Sequence, residues 1–206
     1  MNALRLIALW LVFSLPAIRA QEPVPPAPKP PYVAPVPVNA RWVVTLETPG
    51  GLSAQTELPT AIETIKTGGV KRVTLFFKSG PSQRFDQMGD YLLTTTPAGP
   101  QISKAIPLFP PYPFYTDGYL FVENVVPAHF KGVVKLKGVD CFYYGTGNSS
   151  VWISVDTQLP VAARQEGVLA YFQFLPAPSQ PLTLPPEEAA QLEKYEAAAN
   201  AFRAMR

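Results

Sequence analysis

One histidine and one cysteine limit the side-chain chemistry open to this chain of 206 residues. A hydrolytic triad needs an imidazole beside a nucleophile and held by a carboxylate. His129, in Pro127-Ala128-His129-Phe130, has no GxSxG-type nucleophile turn near it in sequence. Cys141 stands within Val139-Asp140-Cys141-Phe142-Tyr143, a strand-like run where a buried, inert thiol is the expected outcome. Exposed in an oxidising compartment, it would instead link two chains. Zinc sites of the usual kind take three or four Cys and His ligands, which this composition cannot supply without carboxylates, so neither a metal nor a cofactor is expected. Gly145-Thr146-Gly147-Asn148 has the glycine content of a phosphate loop, but a strand follows it where an anion cradle needs a helix. It reads as a hairpin turn.

Paired carboxylates are the remaining route to catalysis, since glycoside hydrolysis needs two acids roughly 5–9 Å apart. Asp86 and Asp90 flank an expected turn, Asp117 and Glu123 fall in an aromatic segment, and Asp140 and Asp156 end strands. Each has an ordinary solvated or turn-capping role. No residue is assigned as catalytic, and a polysaccharide-acting hydrolase stands as an alternative.

The elements that would position these groups are mostly strands. Trp42, Val44 and Leu46 alternate with Val43, Thr45 and Glu47, and Val73, Leu75 and Phe77 alternate with Thr74 and Phe76. That period of two is the mark of a pleated strand. AIETIK, SQRFDQ and DYLLTTT continue the pattern, with turns at Gly68-Gly69 and Met88-Gly89. Later come FKGVVKLK, VDCFYYG, VWISVD, PVAARQE and VLAYFQF, broken by Gly138, GTGNSS, TQLP and Gly167. Short strands with close turns imply an antiparallel meander, because parallel strands need long crossovers.

The period then changes. Ala189, Leu192, Tyr195, Ala199 and Phe202 recur at steps of three and four, predicting a helix over 186–205 whose apolar stripe packs on the sheet. Pro185 and Pro186 suit its first turn, and Glu187 and Glu188 meet the positive end of its dipole. Between the two strand groups, residues 97–129 are rich in Pro, Phe and Tyr and too long for a hairpin connection. A short helix is expected over 119–126, ended by Pro127. Phe109, Tyr112, Phe114, Tyr115 and Tyr119 are the candidate ligand-binding residues, as a lid or partner-contact loop; the same rings could equally be an arm packed down on the sheet.

Residues 1–20 have the layout of a signal peptide: Arg5, an apolar run from Leu6 to Leu15, then small residues ending at Ala20. The run is shorter than the about 20 residues a membrane-spanning helix requires. Eight prolines between 23 and 37 make residues 21–40 an extended, solvated tether, leaving 41–206 as one β-rich domain. The chain carries 17 Lys and Arg against 15 Asp and Glu; without Arg5 and Arg19 the two balance at 15. Nothing remains of the basic excess that drives nucleic-acid or anionic-membrane binding.

The run from Val139 to Phe174, a strand ending in Trp152-Ile153-Ser154-Val155-Asp156, then Thr157-Gln158-Leu159-Pro160, a strand, Gly167 and Tyr171-Phe172-Gln173-Phe174, resembles the outer-membrane lipoprotein-sorting and lipoprotein-carrier proteins. That resemblance implies an open half-barrel and an apolar or lipoprotein-like cargo. The expectation is therefore a mainly β chain with one C-terminal helix, a curved antiparallel meander with the helix on one face; a β-sandwich is the alternative. The functional expectation is an exported, periplasmic or extracellular, non-enzymatic protein that binds an apolar ligand or an envelope protein. A structural accessory domain is the further alternative.

Overall fold

Tight turns organise the chain. In the computed structural model, which describes residues 37–47, 58–96, 98–104, 124–165 and 167–205, strands β1 (Ala40–Glu47), β2 (Ala61–Thr67), β3 (Val70–Phe76), β4 (Gln83–Met88), β5 (Tyr91–Thr96) and β6 (Gly99–Lys104) form a first meander. Strands β7 (Phe130–Leu136), β8 (Val139–Gly145), β9 (Ser149–Ser154), β10 (Pro160–Gln165) and β11 (Val168–Leu175) form a second. The β2–β3 turn places Gly68 and Gly69 at φ 62° and 82°, the pair of left-handed positions that a type I′ hairpin demands. The signal segment, most of the proline-rich tether and all five candidate ring residues of 105–123 lie outside the described residues.

The two meanders are joined by their first and last strands. β1 pairs with β11 in antiparallel register, Trp42 against Phe174 and Val44 against Phe172. The described strands thereby make one curved, open antiparallel sheet in the order β6-β5-β4-β3-β2-β1-β11-β10-β9-β8-β7. This is the expected meander, and the single continuous sheet removes the β-sandwich alternative. Its edges are β6 and β7, the two strands that residues 105–129 connect in sequence.

One local expectation is corrected. Residues 99–104 form a strand, β6, although Pro100 and the lack of apolar alternation had put them in the connection. Pro100 is tolerated because β6 is an edge strand with a side free of ladder bonds. Pro127 begins a 3-10 turn, Pro127–His129, where its fixed φ and missing N–H suit a first position; the short helix expected over 119–126 lies mostly outside the described residues.

The helix α1 (Pro186–Ala204) has nearly the expected limits but a different buried face. Leu192 is buried as expected, whereas Tyr195 and Phe202 remain 42% and 59% exposed. Glu188 is buried and Ala189 is exposed. The helix stands beside β6 at one end of the sheet, so Leu192 alone contributes a full burial term, about 1.5–3 kcal/mol as an upper figure. Before reaching it, the chain crosses the β2–β3 turn. A Cβ on Gly68 would lie 2.7 Å from the Cβ of Pro181, so glycine is required there for closeness as well as for φ.

Candidate functional site

The side chains of one sheet face form a broad, mainly apolar surface. Because side chains alternate across a pleat, the registers place Ala40, Trp42 and Val44 of β1 beside Ile62 of β2, Val73 and Leu75 of β3, and Ala170 of β11. On the other side of β11 the same face continues through Ala163, Val151, Ile153 and Tyr144. All of these are buried in one cluster, together with Val125. Partly buried Phe85, Phe130, Phe142, Phe172 and Phe174 surround it. Trp42 stacks on Phe174 at 6.2 Å between centroids, and Phe130 tilts against Tyr144 at 5.5 Å. Among the described residues, Val125, just after the 105–123 segment, is the member of this cluster that comes from outside the strands.

The face is not wholly apolar. Thr64 lies in the cross-strand row Phe174–Trp42–Thr64–Val73–Phe85, fully buried, and its Oγ1 has no hydrogen-bond partner among the described residues. An unpaired buried hydroxyl costs about 1–3 kcal/mol.

The opposite face near α1 is built on charge. Arg72 of β3 donates to both oxygens of Asp86 on the neighbouring strand, at 2.7 and 2.8 Å. Arg84 lies 3.6 Å from Asp86 and donates to Oε1 of Glu188 on the helix, which also accepts from Thr95 Oγ1 at 2.7 Å. Asp86 is completely buried, with buried Leu93 directly across β5. The guanidinium of Arg72 is held above its ordinary pKa mainly by the hydrogen bonds to Asp86, with burial opposing and the charges of Asp86 and Glu188 adding. Glu188 reaches the sheet because its usual partner is missing. A glutamate at the third helical position normally bonds the cap N–H, and here the cap is Pro185, which has none. Beside this ladder is an open cleft of about 690 Å³ lined by Ser82, Gln83, Arg84, Phe85, Thr94 to Thr96, Pro185, Glu187 and Glu188, with Pro81 and Pro100.

The residues singled out for chemistry are scattered. His129 is half-buried in the 3-10 turn, its Nδ1 3.1 Å from the carbonyl oxygen of Asn124. Cys141 is buried on the face opposite Tyr144, and its thiol donates to the Val139 carbonyl at 3.4 Å. Burial pushes its pKa up, a backbone hydrogen bond from Leu136 opposes that shift, and the charge of Asp140 adds to it. Asp86, expected at a turn, is instead the buried centre of the charge ladder. Asp140 makes an exposed pair with Lys135 at 3.3 Å. Asp156 does not cap its turn: Ser154 Oγ accepts from the Thr157 N–H and Thr157 Oγ1 from the Leu159 N–H. Asp117 and Glu123 lie outside the described residues. Among the described residues, no group of three or more His, Cys, Asp and Glu side chains could hold a metal ion, and no helix is long and apolar enough to cross a membrane.

No family model matches this sequence, and no curated protein matches it. Similar solved structures exist. The lipoprotein LppX of Mycobacterium tuberculosis has a TM-score of 0.39 and 11% identity, over 72% of this chain and 90% of its own. LprF from Mycobacterium bovis has 0.36 and 11%, over 72% and 89%, and a LolA superfamily protein from Nitrosomonas europaea has 0.34 and 9%, over 73% and 89%. With so little identity and such low scores, no residue role, ligand or partner is carried across from them.

The charge ladder and the orphan hydroxyl were both missed in the sequence. Arg72, Arg84 and Asp86 sit on three ordinary polar strand positions, and only the β3–β4 register makes them neighbours.

Proposed function

We propose that this chain is an exported, non-enzymatic binding protein of the cell envelope that holds an apolar ligand against the Trp42 face of its sheet. The observation that carries the reading is the extent of that face. It runs from β3 through β1 and β11 to β8, while the helix lies on the other side of the sheet at its β6 end. A stretch of sheet that wide, lined by Trp42, Val44, Ile62, Leu75 and Ile153, fits an acyl chain or a similar apolar molecule. In this reading Phe109, Tyr112, Phe114, Tyr115 and Tyr119, in the segment linking the two sheet edges, close over the ligand. The signal-like residues 1–20 and the tether 21–40 support export and a working distance from an attachment point or partner.

The test is to express the full chain with its leader, purify it under mild conditions, and examine it by native mass spectrometry before and after solvent extraction. A bound apolar molecule, or displacement of N-phenyl-1-naphthylamine by added lipid, is the expected result. A monomer that carries nothing and fails to bind the dye would overturn the reading.

A further inference from the structure

Resting on that reading, we infer that the ligand is an acyl compound whose carbonyl oxygen accepts a hydrogen bond from Thr64. The Trp42 face is graded along its strands. At one level Ile62 and Leu75 stand opposite each other, both fully buried. Two residues along are Thr64 and Val73, and two further along are Lys66 and Lys71, half-buried and directly opposed across β2 and β3. From hydrocarbon to hydroxyl to ammonium is four residues of strand, about 13 Å at about 3.3 Å per residue. An acyl chain laid along these strands puts its tail beside Ile62 and Leu75, its carbonyl at Thr64 and its head toward the lysines.

Thr64 is the decisive residue. Its hydroxyl is wholly buried between Trp42 and Val73, with no partner for its Oγ1 among the described residues. Valine has nearly the same shape and is a better β-former, with no orphaned group. A hydroxyl kept at that position is explained by a hydrogen bond made when the face opens and the ligand enters. Val125, packed in the same cluster, is among the side chains that must give way. A free carboxylic acid and an ester present the same carbonyl, so the two sources share this chemistry and separate at the lysine end.

The experiment measures displacement of N-phenyl-1-naphthylamine from the full chain by dodecanoate, methyl dodecanoate and tridecane, for the natural protein, Thr64→Val and Thr64→Ser. The expected result is a loss of about five- to tenfold in affinity of Thr64→Val for the two carbonyl probes. Tridecane should bind Thr64→Val as it binds the natural chain, and Thr64→Ser should regain the preference. Tighter binding of dodecanoate than of its methyl ester identifies a free acid as the source, and the reverse an ester. Equal effects on all three probes, or no loss for the carbonyl pair, overturn the inference while leaving an apolar-ligand protein in place. If no probe binds the natural chain, the proposed function falls and this inference with it. Thermal melting guards the comparison: Thr64→Val should melt at or above the natural chain, so weaker binding cannot be put down to misfolding.

Discussion

The two faces of the sheet are held by different physics. The Trp42 face is a broad apolar cluster in which burial is non-directional and many neighbours share the stabilisation. The face under α1 depends on a short ladder, Arg72–Asp86–Arg84–Glu188, in which each group has one or two specific partners. Under the proposed function, the contrast is what would let the apolar face, and not the charged one, exchange a side chain for a ligand. Hydrophobic contacts are replaceable by any apolar atom of suitable shape, whereas Asp86 without its arginines would be a bare charge in the interior. The apolar face is the one the proposed function uses, and the charged face holds the C-terminal helix through Glu188.

Each face can be broken separately. The largest effect is expected from Trp42→Ala, about 3–5 kcal/mol of stability by urea titration, since it removes the largest fully buried side chain of the core. Asp86→Ala should cost about 2–3 kcal/mol, less than a fully buried pair because Arg72 and Arg84 retain partial solvent contact. The double change Arg72→Met with Asp86→Leu should recover much of that loss, and if it does not, the ladder is more than an ion pair in balance. Gly68→Ala should cost about 1–2 kcal/mol through its positive φ and the approach of Pro181.

Glu188→Ala sharpens the comparison in a different way. Global stability should fall by about 1 kcal/mol, while hydrogen exchange in 186–204 accelerates and that in β1, β2 and β11 does not. Uniform acceleration would mean that the helix and the apolar face unfold as one unit. The smallest effect concerns Cys141. Its folded pKa is raised, so the native state keeps the thiol proton over a range in which the unfolded chain has lost it. Stability from this group is complete below the unfolded value, near pH 8.5, and declines as pH rises from there through the folded value. A Cys141→Ala variant should lack that alkaline decline, and the native thiol should resist Ellman's reagent at pH 8.

Much of the meander was legible because period-two alternation and glycine turns are local signals. Gly68-Gly69 and Gly145 to Asn148 mark hairpins without reference to the rest of the chain, and Thr146 closes the second by bonding Ser149. β6 was hidden because Gly99-Pro100-Gln101 has the composition of a loop, and an edge position is what lets it pair. The helix was legible in extent and misread in face. Periodicity identifies an apolar stripe, but Glu188 outcompetes Ala189 for the sheet because Arg84 and Thr95 await it there. The candidate rings at 109–119 belong to a proposal, since they fall beyond the described residues.

By itself the sequence determined the alternation, the turns and the lone helix, because backbone sterics and side-chain periodicity act over a few residues. Only the tertiary structure decided that β1 joins β11, that Arg72 and Arg84 flank Asp86, and that Thr64 sits unpartnered beside Trp42. Those relations depend on strand register, and register is set by the packing of the whole sheet.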